Sequence, residues 1–163
     1  MSRPDLVDSI RVVKENERIA QEHYADAARI IQNPRGKQLF EQLSKWENYH
    51  YGLLSDLEKS LKEKGNFIKY WGKEFALPST LEIRAAAEPE HQSLIKIISD
   101  AMKLERQAEQ VYSDLAIQIT DPMGHELFTR LSEDEHIHYR ILSTAFWTLT
   151  NLGVWKWPYP RIE

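Results

Sequence analysis

Apolar residues recur at spacings of three and four along four long stretches of the chain, which is the pattern of amphipathic α-helices. The four stretches predict helices over about residues 5–32, 37–62, 90–120 and 124–152. Pro4 near the start of the first stretch and Pro34 just past its end are typical helix boundaries. The pattern therefore predicts an all-α chain, and a length of 163 residues suits a single domain, residues 1–163.

The second half of this chain repeats the first half with a shift of 88 residues. From Ile10 to Leu54, 18 of 45 positions are identical to the residues 88 positions later, without a gap. A coincidental similarity of heptads would match Leu and Ala but would not also match Glu, His and Pro. The sequence therefore predicts two duplicated helical hairpins, repeat one at about residues 5–62 and repeat two at about 90–152.

Two segments lie outside the repeats. Residues 63–89 are rich in Gly, Pro and aromatic side chains, and a short helix is predicted within them at about residues 81–88. A helix of ~26 residues is about 40 Å long, so a third helix parallel to the second requires a link that returns along the whole bundle. This interpretation predicts one long crossover. The aromatic tail, residues 153–163, is expected to pack against the bundle or a second subunit, with a ligand platform as the alternative.

Charged and imidazole side chains interrupt the apolar stripe of every predicted helix. The first and third helices each supply one inward Glu, and the second and fourth each supply a Glu-x-x-His pair. The two residues of such a pair lie on one helix face, with their Cβ atoms about 5–6 Å apart. A buried carboxylate is costly unless it is paired or binds a cation. Four carboxylates and two imidazoles form the ligand set of a dinuclear site in a four-helix bundle, and four negative charges match two divalent ions. The predicted metal ligands are Glu17, Glu47, His50, Glu105, Glu135 and His138.

The same pattern also predicts how the ligands are divided. Each ion is expected to take one terminal Glu, either Glu17 or Glu105, and one His, while Glu47 and Glu135 bridge the two ions. A competing register exists in the fourth helix, where Glu133 and His136 also have Glu-x-x-His spacing. The repeat aligns these two residues with Lys45 and Asn48, which are not metal-ligand types, so we place them on the surface.

Three further residues are candidates for the surroundings of the ligands. Tyr24 and Tyr112 are repeat-related and inward-facing, which favours core packing, with a hydrogen bond to a ligand carboxylate as the second possibility. Asp134 directly precedes Glu135, and its carboxylate could accept a hydrogen bond from the free nitrogen of a ligand His on a neighbouring helix. Trp46 occupies the matching position in the first repeat, so this outer layer is not symmetric.

Composition narrows the function classes. A net charge of −4 with scattered Lys and Arg gives no reason to expect a nucleic-acid partner. The chain has no Cys, which excludes disulfides and thiolate metal sites and leaves Asp, Glu and His as ligands for iron, manganese or zinc. No apolar run approaches the roughly 20 residues that span a bilayer, so we expect no membrane insertion and a cytoplasmic location.

The paired motifs resemble those of the ferritin-like superfamily, and most closely those of rubrerythrin-type di-iron proteins. The resemblance rests on Glu17 with Tyr24, Leu39-Phe40 and Glu47-x-x-His50, and on their counterparts in the second repeat. It covers the four helices and implies a ferritin-like four-helix bundle. It also implies two iron ions that react with hydrogen peroxide or dioxygen, although manganese or zinc would accept the same ligands.

Two departures from the rubrerythrin pattern shape the expected function. Rubrerythrins usually carry a Cys-ligated iron domain that supplies electrons, so a chain without Cys would need an external electron donor. They also usually carry an additional Glu three residues after the helix-three Glu, where this chain has Ala108, and Glu109 should point elsewhere. The alternatives are therefore a ferroxidase or iron-sequestering protein, or a non-catalytic metal-binding bundle. A homodimer is expected in preference to a storage cage.

Overall fold

The computed structural model describes residues 1–73, 75–79 and 85–158. Four α-helices make up the fold: α1 (Arg3–Ile30), α2 (Pro34–Glu63), α3 (Gln92–Gln118) and α4 (Pro122–Leu152). The prediction of an all-α four-helix bundle is confirmed. Within the described residues, the β-structure consists of one isolated antiparallel bridge between Ala87 and Val154. None of the described helices is both long and apolar enough to cross a membrane.

The second helix of each hairpin begins with the same capping arrangement. The Asn33 side chain accepts hydrogen bonds from the backbone N–H groups at the start of α2, and Asp121 does the same for α4. Pro34 and Pro122 occupy the first helical position, where a missing N–H costs nothing and the fixed φ suits the helix. The sequence analysis treated Pro34 only as a helix stop, and α2 therefore begins three residues earlier than expected.

The apolar core is divided into two clusters with the predicted ligands between them. Along α1 and its C-cap, the buried apolar residues between positions 6 and 13 belong to one cluster, Glu17 follows, and those between positions 24 and 31 belong to the other. The same order, or its reverse, holds along α2, α3 and α4. Both α2 and α3 begin in the cluster that contains Tyr24 and end in the cluster that contains Leu6, so the two helices run in the same direction. The segment that joins them therefore returns along the bundle, as the long crossover prediction requires.

Buried contacts fasten the crossover and the tail to the bundle. The Glu88 carboxylate, 2% exposed, accepts hydrogen bonds from the backbone N–H groups of Gln32 and Asn33 and from Trp155 Nε1, at 2.8–2.9 Å. Trp157 is also buried and donates to the Pro78 carbonyl at 2.9 Å. The described part of the tail therefore packs against its own bundle. Residues 159–163 of the tail lie outside the described residues.

The short helix expected at about residues 81–88 is only partly testable. Residues 80–84 lie outside the described residues, and residues 85–88 form no α-helix, since Ala87 pairs with Val154 instead.

Two repeat-related glycines let aromatic rings approach the start of α2 and α4. A Cβ atom on Gly36 would lie 2.4 Å from the Trp155 ring, and one on Gly124 would lie 2.6 Å from the Phe67 ring. The tail thus packs against the first hairpin at Gly36, and the crossover packs against the second hairpin at Gly124. At either position a larger side chain would collide with the aromatic ring.

Candidate metal centre

All six predicted ligands lie at mid-height in the bundle, and each is at most 3% exposed. They fall into two groups, and within each group one ligand atom per residue lies within 4.8 Å of all the others. The first group is Glu17, Glu47, His50 and Glu135, and the second is Glu47, Glu105, Glu135 and His138. Glu47 and Glu135 belong to both groups, which is the arrangement that bridging carboxylates require.

Both imidazoles turn the same ring nitrogen towards the carboxylates. His50 Nδ1 lies 3.0 Å from Glu135 Oε1 and 3.5 Å from Glu17 Oε1. His138 Nδ1 lies 2.6 Å from Glu47 Oε1 and 3.3 Å from Glu135 Oε2. Each His therefore contacts one bridging Glu from the other hairpin, so the centre joins the two halves of the bundle.

Several buried atoms of this cluster have no hydrogen-bond partner among the described residues. They are Glu17 Oε2, Glu47 Oε1, Glu105 Oε2 and both ring nitrogens of His138. Glu47 Oε1 and His138 Nδ1 are close, yet their orientation is not that of a hydrogen bond. Ligand atoms about 2.1 Å from one ion, at right angles to each other, lie about 3 Å apart, so close and converging atoms fit a shared cation. The donor set of carboxylate oxygens and imidazole nitrogens suits iron, manganese or zinc.

Burial and mutual repulsion divide the four carboxyl groups into two kinds. Burial and the neighbouring carboxylates raise the pKa of Glu47 and of Glu135 well above the ordinary value. Burial also raises the pKa of Glu17, but the charge of His50 and several hydrogen bonds outweigh it and lower the pKa to about 2. The pKa of Glu105 is likewise lowered, because hydrogen bonding and the charge of His138 overcome the effect of burial.

The imidazoles respond to the same negative surroundings. Burial lowers the pKa of His50, but the charge of Glu17 and hydrogen bonds to carboxylates raise it well above its usual range. Burial also lowers the pKa of His138, and the charge of Glu105 with its neighbouring carboxylates raises it to about 10. The carboxylates around both imidazoles thus favour positive charge at the centre, which protons or cations can supply.

The two repeat-related tyrosines connect the terminal ligands across the hairpins. Tyr112 on α3 donates a hydrogen bond to Glu17 on α1, and Tyr24 on α1 donates to Glu105 on α3. Burial and nearby carboxylates raise the pKa of both phenols well above the ordinary value, so they remain neutral donors. The sequence analysis favoured core packing for these residues. They do lie in the core, but the second possibility, a hydrogen bond to a ligand carboxylate, also applies.

Asp134 makes the contact that was anticipated for it. Its Oδ2 lies 2.9 Å from His50 Nε2, the ring nitrogen that faces away from the carboxylate cluster. Tyr70 donates a hydrogen bond to the same oxygen. Sequence reasoning missed Tyr70 because the crossover has neither a repeat counterpart nor a regular period, and its only signal was an aromatic residue among charged ones.

The residues assigned away from the centre lie away from it. Glu133 and His136 are exposed on α4. Glu109 contacts His136 at 3.2 Å and Arg106 at 3.5 Å, and Ala108 packs against the apolar cluster nearest the N-terminus of α1. The described residues around Glu105 thus offer no seventh carboxylate at the position of Ala108.

A four-helix bundle whose facing helices carry two Glu and two Glu-x-x-His motifs around one buried cluster has the architecture of ferritin-like proteins, and the cluster is compatible with a dinuclear metal site. The family model described as Rubrerythrin matches residues 67–146. This model describes a ferritin-like di-iron carboxylate family, and it covers α3, most of α4 and part of the crossover. The match includes Glu105, Glu135 and His138, and the internal repeat relates the other three ligands to them. No curated protein and no solved structure matches the chain.

Proposed function

We propose that this protein is a non-haem di-iron oxidoreductase of the rubrerythrin type, which reduces hydrogen peroxide or dioxygen with electrons from an external donor. The observation that carries the proposal is the pair of buried groups that share Glu47 and Glu135. Two ferrous ions held there would supply two electrons to an O–O bond. The reduction of hydrogen peroxide then balances as one peroxide, two electrons and two protons giving two water molecules.

The side chains around the centre have separate tasks in this proposal. Glu17 and Glu105 would each hold one ion, and each accepts a hydrogen bond from a tyrosine of the opposite hairpin. Glu47 and Glu135, which belong to both groups, would hold both ions, and their raised pKa values mean that loading would displace protons from them. The apolar clusters above and below the six Glu and His side chains exclude bulk water. The exclusion of water strengthens the charge interactions among these six side chains.

The test begins with metal analysis of protein purified without chelators, followed by anaerobic loading with ferrous iron. The iron-loaded protein should then consume added hydrogen peroxide, and its near-ultraviolet absorbance should change. A reducing dye should sustain turnover. Glu135→Ala should abolish both effects, whereas Glu133→Ala, an exposed change two residues away, should leave them intact. Absence of turnover with any donor would refute the enzymatic proposal.

A ferroxidase or iron-sequestering role is the second candidate, and the six-ligand set with Ala108 beside Glu105 favours it. Such a protein would oxidise ferrous iron with dioxygen and retain the product, which for storage requires a cage of many subunits. We propose a homodimer instead. Native mass spectrometry separates the two, since a mass near two chains contradicts storage and a much larger closed assembly supports it. A protein isolated without metal, which takes up none, would instead be a structural bundle.

A further inference from the structure

The two halves of the metal centre differ in the residue that precedes each bridging glutamate. The 88-residue repeat aligns Trp46 of α2 with Asp134 of α4, while the ligands themselves are matched. Asp134 contacts the outer nitrogen of His50, and the Trp46 ring packs against the His138 ring, each from the opposite hairpin. The two halves therefore have matched ligands, but the side chains that pack against the two ligand imidazoles are different.

On one side, a buried carboxylate holds the imidazole. His50 Nε2 lies 2.9 Å from Asp134 Oδ2, and Tyr70 donates to the same oxygen. Asp134 is 5% exposed and Tyr70 is equally buried, so water does not compete strongly for either contact. An Nε2–H donated to this carboxylate leaves Nδ1 with its lone pair towards the cluster and increases its strength as a ligand.

On the other side, no such support exists among the described residues. His138 Nε2 has no hydrogen-bond partner there, and the Trp46 ring meets the imidazole edge-on, with the ring centroids 4.4 Å apart. Indole can only donate a hydrogen bond, so Trp46 cannot accept one from His138 in any rotamer. Stacking on Phe75, with centroids 5.2 Å apart, also holds the indole in place. The indole Nε1 also has no hydrogen-bond partner in the part of the chain that the structure describes.

We infer that Asp134 and Tyr70 are positioning residues that make the half of the centre around His50 the tighter metal site, and that the half around His138 binds its ion second and more weakly. This inference rests on the proposed dinuclear function. Changes in the groups that hold a ligand imidazole typically alter metal affinity by about 10–100-fold, so the two binding steps should differ by roughly that factor. The chain would then retain one ion firmly and exchange the other.

Stepwise titration of the chelator-treated full-length chain with cobalt(II) tests the inference, with visible absorption and calorimetry as readouts. The wild-type chain should bind two ions in two resolved steps. His138→Ala should keep the tight step, and His50→Ala should lose it. Asp134→Asn should weaken the tight step by about 10–100-fold and change the spectrum of the first ion, while the second step stays within a few-fold.

Matched controls separate this effect from general changes of charge or packing. Tyr70→Phe should weaken the tight step less than Asp134→Asn does, and it serves as the test if the Asp134 variant does not fold by circular dichroism. Glu133→Gln, the exposed carboxylate next to Asp134, and Tyr49→Phe, an aromatic neighbour of Tyr70, should leave both steps unchanged.

The possible failures are distinguishable. Binding of fewer than two ions by the wild-type chain would refute the dinuclear site and hence the proposed function. Two ions bound with equal affinity, or equal weakening of both steps in the Asp134 and Tyr70 variants, would overturn this inference and leave the dinuclear site standing.

Discussion

Metal loading of this centre should release protons, and the stability of the metal-free chain and the stabilisation gained from metal should therefore change with pH in opposite directions. The pKa values of Glu47, Glu135 and His50 are raised well above their ordinary values, and that of His138 is raised to about 10. These directions favour the protonated forms of two carboxyl groups and two imidazoles when no metal is bound. The two imidazolium charges balance the remaining two carboxylates, and two divalent ions must displace all four protons to bind.

The expected effect is large. Release of up to four protons would make the product of the two dissociation constants fall by up to about 10⁴ per pH unit, or about 5.5 kcal/mol at about 1.4 kcal/mol per proton. A group with a raised folded-state pKa stabilises the fold below its unfolded pKa, and this contribution is lost as pH rises through the folded value. For His138 the window runs from 6.5 to about 10. The metal-free chain should therefore lose stability across that window, while stabilisation by metal grows.

Zinc(II) is a suitable probe because it undergoes no redox reaction. Calorimetric titration in two buffers with different ionisation enthalpies gives the number of protons released per chain. Thermal unfolding with zinc and with a chelator, between pH 6 and 9, gives the difference in stability. Glu47→Gln should release about one proton fewer, because an amide carries no ionisable proton, whereas Glu133→Gln should behave as the wild type. Release of less than one proton, or a metal-free melting temperature that rises between pH 7 and 9, would refute the reasoning.

Three further predictions concern the supports of the fold and the centre. Glu88→Ala removes the acceptor of three donors, two of them buried, and should lower the free energy of unfolding by about 2–3 kcal/mol or more, whereas exposed Glu90→Ala should change it by under about 0.5. Gly36→Ala should cost about 1–3 kcal/mol because its Cβ would collide with an indole, whereas Gly52→Ala has open space and should be neutral or stabilising. Urea unfolding measures all four, and equal effects within either pair would contradict the packing argument. Tyr112→Phe should weaken metal binding about 10-fold in a zinc titration, and unchanged affinity would show that its hydroxyl does not orient a ligand.

The helices and the six clustered side chains were predictable because each depends on a local rule. A period of 3.6 residues fixes which side chains share a helix face, and the repeat singles out Glu135 and His138 over the equally spaced Glu133 and His136. The start of α2 was misplaced because Pro34 stops one helix and also begins the next. The sequence around a proline does not show which of these two roles applies, because the answer depends on where the chain turns.

The connections between distant segments were harder to predict, because no local rule fixes them. Tyr112 and Glu17 are 95 residues apart, and their hydrogen bond depends on how the two hairpins are aligned along the bundle axis. Tyr70 reaches Asp134 from a segment without regular structure, so neither helical period nor repeat could place it. Glu88 likewise becomes a buried acceptor only when the crossover meets the tail.

A single crossover is enough to make the two halves of a duplicated centre unequal. Four helices related by a repeat can present matched ligands, but only one segment connects the hairpins, and it must lie over one side of the bundle differently from the other. Here it brings Tyr70 to the carboxylate behind His50 and Phe75 to the indole beside His138. The first contact completes a hydrogen-bonded support, and the second fixes a ring that cannot provide one. Chemical difference between two ions in equivalent ligand sets can thus originate outside the repeat, in the connection that the fold requires.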